Sequence, residues 1–121
     1  MSNPMEHAPI KALTTFDVID QIDIRVGTIE QVLEVAKSDK LMKLVVNFGS
    51  MSRNILAGIK QERSNPQELV GKQALFIVNL APKKMAGEVS EGMLFDIGFS
   101  DGITPVLATP EVPVPNGARA G

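Results

Sequence analysis

The sequence predicts an all-β domain. Between residues 22 and 108, apolar side chains alternate with polar ones in about five short runs. Turn formers separate the runs, with Gly49-Ser50 and Ser100-Asp101-Gly102 as the clearest, and an Asn116-Gly117 turn lies in the tail. Helical signals are confined to two short stretches, and 121 residues make one domain of ordinary size.

Residues 1–13, with Pro4 and Pro9, read as a loose arm. The domain proper is then 14–121. Thr14, with Asp17 three residues on, offers a capping box for a helix over roughly 15–20 that presents Phe16 and Ile19 to one side. Strand periodicity begins at Ile22. Gly27 interrupts the first long strand and predicts a bulge or bend, which a small barrel needs to close. Leu41 to Phe48 is the second strand, with Met42, Leu44, Val46 and Phe48 on one face. Arg53 to Ile59 is the third. Asn65-Pro66-Gln67-Glu68 starts a short helix that Gly71 stops. Gln73 to Leu80 is an apolar strand, Ala81 to Ser90 a basic loop, and Gly92 to Ile97 a further strand. Ser100-Asp101-Gly102 turns the chain so that Ile103 to Ala108 pairs back. Pro110, Pro113 and Pro115 exclude a central strand in the tail.

Strands in this order, with a short helix between the third and fourth long ones, are expected of a five-stranded Greek-key barrel of OB type with short flanking helices and C-terminal β additions. An SH3-like barrel and a split sandwich are the structural alternatives.

Composition narrows the function. There is no cysteine, so no disulfide, thiolate nucleophile or Cys-ligated metal. The one histidine, His7, falls in the arm, and no Gly-rich phosphate loop or HExxH-type site occurs. We therefore expect no enzyme and no cofactor. No apolar run is long enough to span a bilayer and the start lacks a secretory-signal pattern, so a cytoplasmic protein without membrane contact is expected. The net charge of −2 conceals a pattern: residues 37–84 carry +6, and the segments on either side −4 each. A cationic middle can build one positive face for phosphate, although cations on solvated faces satisfy the same pattern.

Five Phe and no Tyr or Trp leave few platforms for stacking bases, because Phe48 and Phe76 lie on apolar strand phases. Phosphate and shape recognition of folded RNA fits this inventory better than reading of unstacked bases. The segment from Asn79 to Met93 concentrates suitable chemistry. Lys83 and Lys84 read as a compact cationic point, Asn79 and Ser90 as donors, and Met93 as an apolar surface for a base. An ordinary loop with Met93 in the core is the alternative.

Six stretches carry a resemblance: Asp23-Ile-Arg-Val-Gly27, Ser38-Asp-Lys-Leu41, Arg53-Asn-Ile-Leu-Ala-Gly-Ile59, Pro66-Gln-Glu-Leu-Val-Gly71, Asn79-Leu-Ala-Pro-Lys-Lys-Met85 and Ser90-Glu-Gly-Met93. Each is weak alone, but in this order over residues 16–119 they resemble the tRNA-binding domain family. That family includes the C-terminal appendix of methionyl-tRNA synthetases and free-standing bacterial tRNA-binding proteins. The resemblance implies an OB barrel, homodimerisation, and binding to the outer corner of tRNA with little sequence selectivity. It implies an RNA face of Lys40, Asn79, Lys83, Lys84, Ser90 and Met93, with Glu91 orienting neighbouring donors and Arg53 as a secondary contact. Arg25 and Gly27 look structural. A free-standing chain and a piece of a synthetase both fit, and an aminoacyl-tRNA synthetase is a possible partner.

The related CsaA-type branch, described as chaperones for unfolded polypeptide, carries an Arg-Lys-Pro-like element in place of Ser38-Asp-Lys-Leu41 and a Ser-Ala-Gln-Ile-Thr-like run in place of Asn54 to Ile59. This sequence sides with the synthetase-like branch at both points. Its acidic balance departs from that branch. Apolar ends, Ile10 to Leu13 and Val112 to Pro115, are expected to pack across a two-fold axis or to wrap their own barrel.

Overall fold

The computed structural model describes residues 7–121, and the first six residues of the expected arm lie outside them. His7 to Thr15 forms no regular element. Helix α1 (Phe16–Asp20) follows, then strands β1 (Ile24–Glu34), β2 (Met42–Asn47), β3 (Ser52–Ala57) and β4 (Gln73–Ile77). Six short strands complete the chain: β5 (Lys83–Met85), β6 (Glu88–Ser90), β7 (Met93–Leu94), β8 (Asp96–Ile97), β9 (Val106–Leu107) and β10 (Arg119–Ala120).

The main sheet is antiparallel in the order β3-β2-β1-β4-β7. Its two edges curl toward each other. Glu91 N donates to Asn54 O at 2.9 Å, and Leu56 N donates to Ser90 Oγ at 3.0 Å. With that closure the sheet curls into a barrel of the all-β class expected from the sequence, in a strand order that periodicity alone leaves open.

β1 is the spine. Residues 24–28 pair with β4, and residues 28–34 pair with β2 across a bulge between Ile29 and Gln31. Gly27 makes the bend possible. A Cβ there would stand 2.5 Å from Val46 Cγ1 and 2.7 Å from the Phe48 ring, so the backbone lies directly on the core. Phe48 and Phe76 meet edge to face at 5.4 Å in that core, among Ile29, Leu44, Val46, Ile55 and Leu69.

Beyond the end of β2, the vacant edge of β1 is taken by the tail. β10 pairs with Ile24 and Arg25. The Gln73 amide fixes this docking, donating to Val114 O at 2.7 Å and accepting from Val114 N at 3.1 Å. Asn116 Oδ1 accepts from Thr28 Oγ1 at 2.7 Å. The prolines do keep the tail out of a central strand; its last residues extend the sheet instead.

Several elements differ from the sequence expectation. Thr15, not Thr14, is the N-cap of α1, and no side-chain cap bond forms, so the capping box is not made. Pro66–Leu69 is a 3-10 turn, and Asn65 likewise gives no side-chain cap. The 81–90 segment is not a loop but the β5–β6 hairpin. Its two-residue turn, Ala86-Gly87, has φ of 50° and 80°, the left-handed pair that matches strand twist. The strand expected over 92–97 splits, because β7 pairs with β4 while β8 pairs with β9.

Candidate functional site

Two side-chain contacts hold the hairpin to the barrel, and a third bond fixes the Ser90 hydroxyl locally. Ser90 Oγ accepts from Leu56 N and donates to Gly92 O at 2.9 Å. Lys43 Nζ meets Glu88 Oε1 at 3.0 Å, linking β2 to β6. Directly opposed residues of a hairpin share a face. Lys83 therefore shares its face with barrel-facing Ser90, and Lys84 shares the opposite face with exposed Val89. The two lysines are not one compact point, since adjacent strand residues leave on opposite sides. Both are exposed, and neither has an ion pair among the described residues.

Lys37 joins them. A Cβ at Gly87 would stand 3.8 Å from Lys37 Nζ, so this lysine lies at the hairpin tip. Its only sequence signal is its place in the cationic middle block. Lys40 is exposed and also without an ion pair among the described residues. Ser38 shapes its turn, with Oγ accepting from Lys40 N at 3.2 Å and Leu41 N at 3.0 Å. By contrast Lys60 is bound to Glu34 at 2.7 Å and Lys43 to Glu88, so these two cations are already neutralised.

Of the remaining predicted residues, all but Met93 have side chains bonded within the protein. Ser90 is 4% exposed and its hydroxyl is engaged in both directions. Asn79 spends its amide on the junction before β1, donating to Gln21 O at 2.6 Å and accepting from Asp23 N at 2.8 Å. Glu91 Oε1 accepts from Asn54 N at 3.0 Å, at the seam where the barrel closes. Arg53 Nη1 donates to the carbonyls of Val78 and Glu91, pinning the same seam. Met93 is exposed on β7, at the rim of a depression of about 640 Å³ lined also by Leu56, Phe95, Phe99 and Glu62. The geometry thus divides the set. Lys40, Lys83, Lys84 and Met93 are exposed with no side-chain bond among the described residues, exposed Asn79 is bonded to the junction before β1, and Arg53, Ser90 and Glu91 are bonded where the barrel closes.

At the base of β1, Arg25 grips Asp23 with Nε–Oδ1 at 3.0 Å and Nη2–Oδ2 at 3.1 Å. That hydrogen-bonded fork holds the Asp23 carboxyl below the usual range, with the charges of Arg25, Arg119 and Arg53 reinforcing it. The Arg25 guanidinium is held above its ordinary value in turn. Burial pushes the Glu62 carboxyl up, helped by the like charge of Asp96 and opposed by Arg63.

Residues 24–119 match the family model described as "Putative tRNA binding domain". The chain belongs to that family. It is 44% identical over 111 residues to the methionine–tRNA ligase of Parabacteroides distasonis, covering 92% of the chain and 16% of the ligase. The chain thus spans about a sixth of that relative's length. Among solved structures, the family's fold recurs in a MetRS related protein from Pyrococcus horikoshii, with TM-score 0.83 and 36% identity over 92% of this chain and all of that one. It recurs also in the chaperone CsaA of Bacillus anthracis, with TM-score 0.79 and 30% identity over 91% of this chain and all of that one. Among the described residues, no helix is long and apolar enough to cross a membrane.

Proposed function

We propose that the chain is a non-catalytic tRNA-binding module that engages the outer corner of folded tRNA with little sequence selectivity. The observation that carries this reading is the set of exposed lysines without an ion pair among the described residues, Lys83, Lys84 and Lys37 on a hairpin pinned to the barrel and at its tip, with Lys40 on the turn that follows Lys37, in a chain of this family. Ammonium groups on such a frame contact phosphate oxygens without reading base edges. Met93 offers an exposed apolar surface on β7. Arg53, Asn79, Ser90 and Glu91 serve by positioning.

Homodimerisation is part of the proposal. Ile10 and Leu13 are 92% and 98% exposed, and Phe16 follows at 88%. Covering this apolar stretch with a second copy would remove it from water and double the cationic surface. A synthetase remains a proposed further partner, on the strength of the ligase likeness.

The likeness to CsaA and the same exposed apolar stretch support a second reading, capture of unfolded polypeptide. One experiment separates the two: binding of bulk tRNA, an unstructured oligonucleotide and an unfolded protein across a salt series. The first reading expects tRNA to be preferred, binding to weaken with salt, and Lys83→Ala/Lys84→Ala to lower the salt slope by up to about two charges. Salt-insensitive capture of unfolded protein with no tRNA binding would replace it with the second.

A further inference from the structure

One end of the barrel carries more positive charge than its own fold consumes. Arg25 lies directly opposite Phe76 on β4, and Arg53 directly opposite Val46 on β2. Phe76 and Val46 are core residues. Opposed residues share a face, so both arginines leave from the interior face of the sheet, at the mouth where the core runs out. Arg119 on β10 is opposite Arg25 and joins it there. Asp23, two residues before Arg25, shares its face as well. Arg25 bonds the Asp23 carboxylate directly, and the positive charges of Arg119 and Arg53 act on it as well. Like charges directly opposed across strands are unfavourable, yet the tail is clamped by Gln73 and Asn116 so as to place Arg119 against Arg25.

Donors remain free. A guanidinium carries five N–H groups. Arg25 gives two of its nitrogens to Asp23, and Arg53 gives one to two carbonyls. Arg119 is exposed and has no ion pair among the described residues. Arg25 and Asp23 side chains keep 33% and 30% exposure, so the mouth is open to solvent. Forked donors of this kind match the oxygens of a phosphate group.

We propose that this mouth is a phosphate-binding site, separate from the lysine hairpin, in which Arg119 and Arg25 contact the anion and Arg53 forms the wall behind them. Asp23 prevents mutual repulsion of the arginines when the site is empty. The ligand is either a backbone phosphate of bound RNA, which rests on the function proposed above, or a free phosphate group.

The test follows the arginine Nε–Hε resonances of the full chain by NMR during titration with inorganic phosphate. It is paired with the salt dependence of bulk tRNA binding, for the natural chain and Arg119→Gln. The expected results are saturable shifts of Arg119 and Arg25, loss of the Arg25 shift in Arg119→Gln, and a tRNA salt slope lowered by about one. Saturable shifts with an unchanged slope support the site and make free phosphate its ligand. A lowered slope without saturation supports it and makes RNA the source. Neither effect overturns it, and the Lys83/Lys84 variant then still reports separately on RNA binding. Should the natural chain bind no tRNA, the function reading falls, and the phosphate titration alone decides the site. Thermal unfolding checks that Arg119→Gln is folded, and Arg119→Met, which also removes the charge but keeps the aliphatic stem, replaces it if it is not.

Discussion

Lys43 Nζ and Glu88 Oε1 stand 3.0 Å apart, and this single ion pair joins the second strand of the barrel to the hairpin that carries Lys83 and Lys84. It both steadies the hairpin and removes one positive charge from the lysine-rich surface. Glu88→Gln keeps the side chain's shape while releasing Lys43. We expect tRNA to bind several-fold more tightly, with a salt slope steeper by up to about one. Stability should fall by no more than about 1 kcal/mol, because the pair is partly solvated. Weaker tRNA binding at unchanged stability would show that hairpin placement outweighs charge.

Ser90→Ala separates a structural serine from an RNA-contacting one. The hydroxyl accepts from Leu56 N at 3.0 Å in a buried setting, so its removal leaves a main-chain donor unpaired. The expected cost is about 1–3 kcal/mol in denaturant unfolding. For molecules that remain folded, tRNA affinity should change little. A large loss of affinity at unchanged stability would return Ser90 to the RNA face.

The barrel was legible because its signals are local. Alternation marks β1 and β2, β-rich and continuously apolar runs mark β3 and β4, and Gly27 announces the bend that Val46 and Phe48 demand. The hairpin was not legible, because Ala86 gives no sign of its φ of 50° and the short strands carry no apolar alternation. The site was legible as a segment but not as roles. Asn79, Ser90, Glu91 and Arg53 are polar residues near lysines, and nothing in the sequence says that their atoms are spent on Asp23, Leu56, Asn54 and Val78. The arginine cluster at the barrel mouth depends on β10 docking beside β1, a pairing between residues nearly a hundred positions apart that periodicity does not encode.

Gly27→Ala tests the bend. The added methyl would stand 2.5 Å from Val46 Cγ1 and 2.7 and 2.9 Å from two Phe48 ring atoms. The core must shift to admit it, and overpacking of this kind costs about 1–3 kcal/mol. Chemical unfolding should show a lower midpoint. An unchanged midpoint would mean that β1 has room to move outward.

Glu62 supplies the pH prediction. Its carboxyl is raised in the folded chain by burial beside the 640 Å³ depression, with Asp96 adding like-charge repulsion. A folded value above the unfolded one means that protonation favours folding. Its stabilising contribution is fully present below the unfolded value, about 4.3 for glutamate, and is lost as pH rises through the raised folded value. Glu62→Gln mimics the neutral form at every pH. The variant should therefore match the natural chain in acid below about pH 4 and exceed it in stability near neutrality. Unfolding midpoints measured from pH 4 to pH 8 check this. A variant less stable than the natural chain at neutral pH would show that the ionised carboxylate makes a favourable contact outweighing its burial.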